Sequence, residues 1–265
     1  MITVWDAGDG AVRQAEQWDT QSLSFGRMAV RCDSSSDGST PRSAWQVAAP
    51  LENSTDIGVF DGTGALCTTV TPAAGAAAGP PGMAMACAWV PGAERLLLVA
   101  HEDGTVRGYD TAVPGRALLA TPRPAPPAPA CTALAVMPRA GAPGVCRCVV
   151  GTAGACTSVL DVDAAAGVCT RVAALALPRP GVGDAAVRRA DGRVFATAGW
   201  DRRVRLYALG CGSSGTSGSG GGGRVRPLAT LRYHTASATS VDFAPAESVL
   251  ASAARDTCIA LWKMY

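Results

Sequence analysis

Residues 249–262, which read VLASAARDTCIALW, carry the clearest structural signal in the chain. Residues 249–252 and 258–262 are two short runs rich in aliphatic side chains, and the polar turn between them ends at Asp256. Two such runs joined by a short polar turn are typical of a β-hairpin. The stretch therefore predicts a pair of antiparallel strands.

The same frame recurs twice upstream. The copies consist of two runs and a turn aspartate: residues 194–197 and 204–207 around Asp201, and residues 96–99 and 105–109 around Asp103. In all three stretches the aspartate lies four residues after the first run, and an aromatic residue lies six residues after the aspartate. A frame shared at three places indicates a structural repeat.

Weaker copies extend the repeat through the chain. Residues 2–6 and 56–61 resemble the second run, and in the copy that ends at Asp161 the turn aspartate is replaced by Gly154. The landmark positions 5, 60, 109, 160, 207 and 262 are separated by about 47 to 55 residues, slightly more than the roughly 40 to 45 of a propeller blade. We therefore predict an all-β propeller with about five complete blades and part of another.

The last repeat also contains a histidine before one strand, a serine at the end of the next, the turn aspartate and an aromatic residue: His234, Ser252, Asp256 and Trp262. This set resembles the structural tetrad of the WD40-repeat family. The resemblance implies that the aspartate orients the histidine, which bonds the serine hydroxyl, which meets the indole N–H. It also implies structural roles for the turn aspartates, Asp103 and Asp201.

A histidine, a serine and an aspartate in one repeat also suggest a hydrolase triad. The WD40 spacing accounts for all four tetrad residues, however, and the chain contains no G-x-S-x-G motif. We therefore predict that the protein is not an enzyme and has no catalytic, cofactor-binding or metal residues.

Three further motifs favour structural interpretations. Residues 210–215 match G-x-G-x-x-G, but more Gly and Ser follow where a dinucleotide site needs a helix, so a linker is predicted. Residues 200–203, WDRR, match a pattern with which some WD40 proteins dock on cullin ligase adaptors, yet this copy precedes the third strand. Cys146 and Cys148 alternate on a predicted strand, where they fit packing better than zinc binding.

Residues 1–265 are predicted to form a single WD40 propeller domain, incomplete at its N-terminus. Stretches near 72–82, 122–130 and 210–223 are rich in Ala, Gly, Pro or Ser, and we expect flexible insertions at the rim there. Residues 2–6 read as the third strand of a blade that lacks its first two strands. We therefore expect an N-terminally truncated form of a protein with about seven blades.

Charge and composition argue against several classes of function. The chain has 23 Lys and Arg against 21 Asp and Glu, so its formal net charge of +2 is too weak to steer nucleic acid or a membrane surface. The 10 cysteines are scattered, no signal peptide precedes them, and no apolar run approaches the roughly 20 residues of a membrane span. We expect a cytoplasmic or nuclear protein without nucleic-acid, membrane or small-molecule ligands.

A narrower resemblance rests on residues 196–207, ATAGWDRRVRLY, on His234 after them and on residues 96–110. These look like the G-protein β-subunit-like protein 1 group, whose fungal counterpart is ASTRA-associated protein 1. The likeness is good over roughly the last 85 residues and poor over residues 111–178. It implies a non-catalytic adaptor that acts with the Tel2/Tti cochaperone assembly in the maturation of phosphatidylinositol-3-kinase-related kinases, and in fungi within the ASTRA complex.

Two alternative functions stay open at this point. A substrate receptor of a cullin ubiquitin ligase, or another scaffold, shares the fold and differs only in its partner. A propeller hydrolase would need carboxylates or a metal at the central channel, and the recognisable acidic residues are turn aspartates instead. We place the candidate partner-binding surface at Trp200, Arg202 and Arg203, because Trp and Arg are the residue types most enriched among interface hot spots. The alternative is that Trp200 packs against a loop of a neighbouring blade and that the two arginines are solvated.

Overall fold

The structure is a computed structural model, and it describes residues 2–6, 13–18, 26–32, 45–72, 81–113, 115, 117–122, 124, 128–138, 144–210, 225–244 and 248–264. These residues form 21 strands, and no helix occurs among them. The strands pair into six antiparallel sheets, which we number blades 1 to 6 in chain order.

Each blade is a run of consecutive strands. Blades 1 to 3 contain β1 (Ile2–Asp6) and β2 (Arg13–Trp18), then β3 (Ala29–Cys32), β4 (Trp45–Pro50), β5 (Ile57–Asp61) and β6 (Leu66–Val70), then β7 (Ala84–Trp89), β8 (Leu96–His101), β9 (Val106–Asp110) and β10 (Ala117–Ala120). Blades 4 to 6 contain β11 (Cys131–Pro138), β12 (Val145–Thr152), β13 (Cys156–Asp163) and β14 (Val168–Ala176), then β15 (Val182–Val187), β16 (Val194–Gly199), β17 (Val204–Leu209) and β18 (Val225–Leu231), then β19 (Ala238–Phe243), β20 (Val249–Ala254) and β21 (Ile259–Lys263).

The hydrophobic core lies between successive blades. Five clusters of buried side chains lie between successive blades, one for each neighbouring pair from blades 1 and 2 to blades 5 and 6. The second strands are the most deeply buried, because both of their faces meet a neighbouring sheet; every residue of β8 and of β16 is buried. A strand that is covered on both faces requires a continuous apolar run. The apolar runs of β8 and β16 therefore predict strands.

A bulge at the same place marks the repeat in four blades. The pairing of the first strand with the second shifts by one residue near its start: between Ala84 and Ala86, Cys131 and Ala133, Val182 and Asp184, and Ala238 and Ser240. Bulges of this kind bend a strand and increase its twist. Their recurrence shows that these blades share one backbone plan despite different sequences.

The first strands of the blades converge near Arg27, which precedes β3. Its guanidinium donates hydrogen bonds to the carbonyl oxygens of Gly183 in β15 and Thr239 in β19, and it pairs with the carboxylate of Asp184 at 3.1 Å. Burial raises the pKa of Asp184, although the Arg27 charge acts in the opposite direction. This side chain therefore links blade 2 to blades 5 and 6 through their first strands.

The all-β propeller class predicted from the sequence is confirmed. Among the described residues, four blades have four strands, blade 6 has three and blade 1 has two. The predicted third-strand segment at residues 2–6 is β1, which pairs with β2 alone. Residues 73–80, 123, 125–127 and 211–223 of the predicted insertions lie outside the described residues, so their flexibility stays a prediction.

Candidate functional site

The four residues of the predicted tetrad form one hydrogen-bonded chain in blade 6. The Nδ1 atom of His234 lies 3.1 Å from the carboxylate of Asp256, and its Nε2 atom lies 2.8 Å from Ser252 Oγ. The indole N–H of Trp262 donates to the same Ser252 oxygen at 2.9 Å. Because an ionised carboxylate can only accept, Nδ1 carries the proton of a neutral imidazole and donates to Asp256. Nε2 then accepts from the Ser252 hydroxyl.

This geometry connects strands rather than activating a nucleophile. Ser252 is only 2% exposed, and its hydroxyl makes two hydrogen bonds inside the blade, one with His234 and one with Trp262. A nucleophilic serine must instead reach a substrate carbonyl. The chain of bonds ties β20 and β21 to the segment that precedes β19, which is what a structural tetrad does.

The turn aspartate of blade 6 also holds its own backbone. Asp256 accepts hydrogen bonds from the backbone N–H groups of Thr235 at 2.8 Å and Cys258 at 3.1 Å. Desolvation acts to raise the pKa of this carboxyl, but these N–H groups and His234 outweigh it and hold the pKa below its usual value. The charged form of Asp256 is therefore the one that the turn stabilises.

In blade 5 the turn aspartate has a different partner. Arg205 donates to both carboxylate oxygens of Asp201, one of them at 3.0 Å, and the two side chains are only 11% and 8% exposed. Desolvation opposes ionisation of Asp201, but the bonds from Arg205 dominate and lower its pKa. Arg205 thus takes the role that His234 has in blade 6.

Blade 3 repeats the arrangement of blade 5. Asp103 accepts from the hydroxyl of Thr105 at 2.6 Å and pairs with Arg107 at 3.4 Å, and both members of the pair are buried. In both blades the arginine follows the aspartate by four residues. The sequence interpretation missed these arginines, although a D-x-x-x-R spacing repeated in two blades was a usable signal.

Trp200 lies in the turn between β16 and β17, where it is both packed and exposed. One face of its indole covers Gly181, so closely that a Cβ atom on that glycine would lie 2.0 Å from the ring. The side chain is nevertheless 45% exposed. Its backbone carbonyl accepts a hydrogen bond from Ser237 Oγ at 2.9 Å, which anchors the turn to the segment before β19.

The residue after the turn aspartate has a left-handed backbone in three blades. Gly104 has a φ angle of 80°, Arg202 of 71° and Thr257 of 62°. Glycine adopts this conformation without steric cost, whereas a residue with a Cβ atom does so at a cost. Blade 5 therefore has an arginine where the backbone favours glycine.

A groove of about 740 Å³ opens beside this turn on the side of blades 5 and 6 that carries the turns between second and third strands. It contains all three predicted partner-binding residues, Trp200, Arg202 and Arg203. The sequence interpretation missed three more arginines that reach it from other segments: Arg179, Arg232 and Arg255. We call this surface, defined by these six residues, the basic groove.

The structure also gives the positions of the two alternating cysteines and of the other possible metal ligands. The Sγ atoms of Cys146 and Cys148 lie 3.9 Å apart, and both residues are in the core between blades 3 and 4. Within the described residues, no three His, Cys, Asp or Glu side chains come close enough to share a metal ion. No helix in the described part of the chain is long and apolar enough to cross a membrane.

Comparison with known families agrees with this geometry. The family model of the WD domain, G-beta repeat, matches residues 225–263, which comprise β18 to β21 and the tetrad. The chain therefore contains a WD40 repeat, and its four-stranded antiparallel sheets are consistent with the blades of a WD40 β-propeller. The predicted WD40 recognition is confirmed.

Individual relatives narrow the resemblance. The chain is 40% identical over 77 residues to ASTRA-associated protein 1 of Schizosaccharomyces pombe, which covers 29% of this chain and 17% of that protein. It is 25% identical over 271 aligned residues to mouse guanine nucleotide-binding protein subunit beta-like protein 1, across all of this chain and 72% of the relative. The ASTRA-associated protein 1 of Aspergillus flavus is 44% identical over 59 residues, 22% of this chain and 11% of that protein.

Proposed function

We propose that this protein is a non-catalytic adaptor whose partners are the Tel2/Tti cochaperone assembly and phosphatidylinositol-3-kinase-related kinases, in the cytoplasm or nucleus. The observation that carries the proposal is the half-exposed indole of Trp200 beside Arg202 and Arg203 on the wall of an open groove. Aromatic and arginine side chains in such positions are typical interface hot spots. The similarity to ASTRA-associated protein 1 supports the choice of assembly.

The turn aspartates and the tetrad serine favour an adaptor function over a catalytic one. Asp103, Asp201 and Asp256 each accept hydrogen bonds within their own blade, and Ser252 is buried. The same engagement of Asp201 by Arg205 argues against docking on a cullin adaptor through the WDRR motif, since the aspartate of that motif is already paired.

Capture of the Tel2/Tti assembly by variants of the turn tests the proposal. We expect Trp200→Ala, and separately the pair Arg202→Glu and Arg203→Glu, to lose most of the capture without a matching loss of melting temperature. The matched control is the pair Arg171→Glu and Arg226→Glu, which reverses the same charge at exposed positions outside the groove. Affinity purification from cells, quantified by mass spectrometry, measures capture for every variant.

The melting temperatures separate the possible outcomes. Loss of capture with an unchanged melt supports an interface at this turn. A parallel loss of stability in Trp200→Ala would assign the indole to packing on Gly181 instead. If the parent protein captures cullin adaptor subunits and no Tel2/Tti subunit, the proposed partner is wrong.

A further inference from the structure

The basic groove concentrates charge that the sequence as a whole does not show. Among the described residues, the lining of the groove contains the five arginines that define it, a sixth, Arg205, and one acidic residue, Asp201. The formal net charge of this lining is therefore +5, compared with +2 for the whole chain. Arg205 is one of the six and is neutralised by Asp201. Five guanidinium groups are left to face the groove.

Within the part of the chain that the structure describes, these five arginines form no ion pair with a carboxylate. The ion pairs present there use other arginines or His234, and none includes Arg179, Arg202, Arg203, Arg232 or Arg255. Four of the five are exposed, and Arg203 is intermediate. A planar guanidinium presents a fork of N–H donors that matches a carboxylate in a bidentate pair, so the groove offers several such forks at once.

The left-handed backbone at Arg202 is a second feature that favours a binding role for the groove. In blade 3 the equivalent left-handed position is Gly104, which removes the steric cost. Arg202 adopts the same conformation with a Cβ atom, at a steric cost, and its guanidinium lies on the wall of the groove. Strain of this kind persists where the surrounding structure enforces it, and it is concentrated at functional positions.

Size and shape indicate what kind of anion fits. At about 740 Å³ the groove is far larger than a single small anion requires, and its arginines come from four separate segments of blades 5 and 6. Several carboxylates along an extended peptide could be paired simultaneously, with Trp200 available for an apolar side chain. A nucleic acid would instead favour a basic track longer than this groove, whose arginines are confined to one side of blades 5 and 6.

We propose that the basic groove binds an acidic peptide segment of a partner protein, rich in Asp and Glu, through Arg179, Arg202, Arg203, Arg232 and Arg255. The proposal rests on the adaptor function above and specifies the chemistry of the partner at that surface. Binding of this kind is electrostatic and weakens with added salt.

Fluorescence polarisation with a short labelled peptide of alternating Glu and Asp tests the inference directly, with the Gln and Asn peptide of equal length as control. We expect the full chain to bind the acidic peptide and not the neutral one. The pairs Arg202→Glu with Arg203→Glu, and Arg232→Glu with Arg255→Glu, should each weaken binding at least roughly tenfold. The control pair used for capture, outside the groove, should leave affinity within about twofold of the parent.

A further variant, Arg202→Gly, tests whether misfolding is the cause of lost binding. Arg202→Gly removes one guanidinium and relieves the left-handed strain, so we expect weaker peptide binding together with a melting temperature no lower than that of the parent. A variant that binds less because it is unfolded would show a lower melting temperature.

Four results would overturn the inference. Two concern the peptide itself: the parent does not bind the acidic peptide, or the groove variants bind it as well as the parent does. Two concern other ligands: a single-stranded oligonucleotide binds the groove more tightly than the peptide, or inorganic phosphate displaces the peptide far better than chloride does at equal ionic strength. Because the titration contains no Tel2/Tti subunit, it is independent of the capture experiment. Peptide binding without capture would remove the proposed partner and leave the groove assignment standing. Capture of the assembly without peptide binding would remove the groove assignment and leave the proposed partner standing.

Discussion

Blades 5 and 6 build the same turn with different side chains. In blade 6, Asp256 is held by His234, which continues to a serine and a tryptophan. In blade 5 the residue at the position of His234, four residues before the first strand, is Pro178, which has no side-chain donor. There the aspartate is held by Arg205 from its own hairpin.

The remaining positions of the two blades correspond as well. Thr197 in β16 takes the place of Ser252, and Tyr207 in β17 takes that of Trp262. Each blade thus keeps a polar side chain on the second strand and an aromatic one on the third. The turn therefore needs a cationic or hydrogen-bonding partner for its aspartate, and the fold accepts more than one source for it.

The largest effect is expected from breaking the arginine version of this turn. Asp201→Ala leaves the buried guanidinium of Arg205 without its counter-ion, and the loss of one partner of such a pair costs about 3 to 5 kcal/mol of unfolding free energy. Chemical denaturation of the variant measures this cost. The double variant Asp201→Ala with Arg205→Leu should recover part of it, and a double variant no more stable than the single one would show that the pair is not the cause.

Acid is expected to destabilise the protein through His101, the buried histidine of blade 3. Burial and the Arg107 charge lower the pKa of His101 to about 4, from 6.5. As pH falls from 6.5 to about 4, the unfolded chain binds a proton that the folded chain does not, so stability is lost over that window, by about 3 kcal/mol in all. His101→Gln should flatten the decline in melting temperature there; parallel pH curves for variant and parent would contradict this assignment.

A smaller effect is expected from the tetrad. Ser252→Ala removes the oxygen that joins His234 to Trp262, and buried groups left without partners cost on the order of 1 to 3 kcal/mol. Urea denaturation measures the change. The variant Thr197→Val makes the matched change in blade 5, where the described residues show no chain of side-chain bonds like that of Ser252, so it should cost less. An equal or larger cost would show that the second-strand hydroxyl contributes as much in blade 5 as in blade 6.

The smallest effect concerns the residue after each turn aspartate. Thr257→Gly in blade 6 and Arg202→Gly in blade 5 both relieve a left-handed backbone, and we expect each to raise unfolding free energy by no more than about 1 kcal/mol. Differential scanning calorimetry measures both. Destabilisation by Arg202→Gly alone would mean that the arginine side chain supports the fold of blade 5 as well as facing the groove.

The hairpins around Asp103, Asp201 and Asp256 could be predicted because their signal is local. Apolar runs of strand length, a turn and an aspartate at fixed spacing are all encoded within a few consecutive residues. The tetrad could be predicted for the same reason once its resemblance was recognised. Arg107 and Arg205 were equally local, four residues beyond the aspartate, and were missed because the family pattern directs attention to a histidine.

The sequence by itself determined the β class, the repeat and the turn aspartates, since each follows from short-range pattern and side-chain chemistry. Only the tertiary structure decided that Arg179, Arg232 and Arg255 join the Trp200 turn in one groove. Residues 179 and 255 come from opposite ends of blades 5 and 6 in the sequence, and a net charge summed along the chain cannot show where charges meet. Stacking one blade on the next brings them together, because the segments before the first strands and the turns after the second strands share one side of neighbouring sheets.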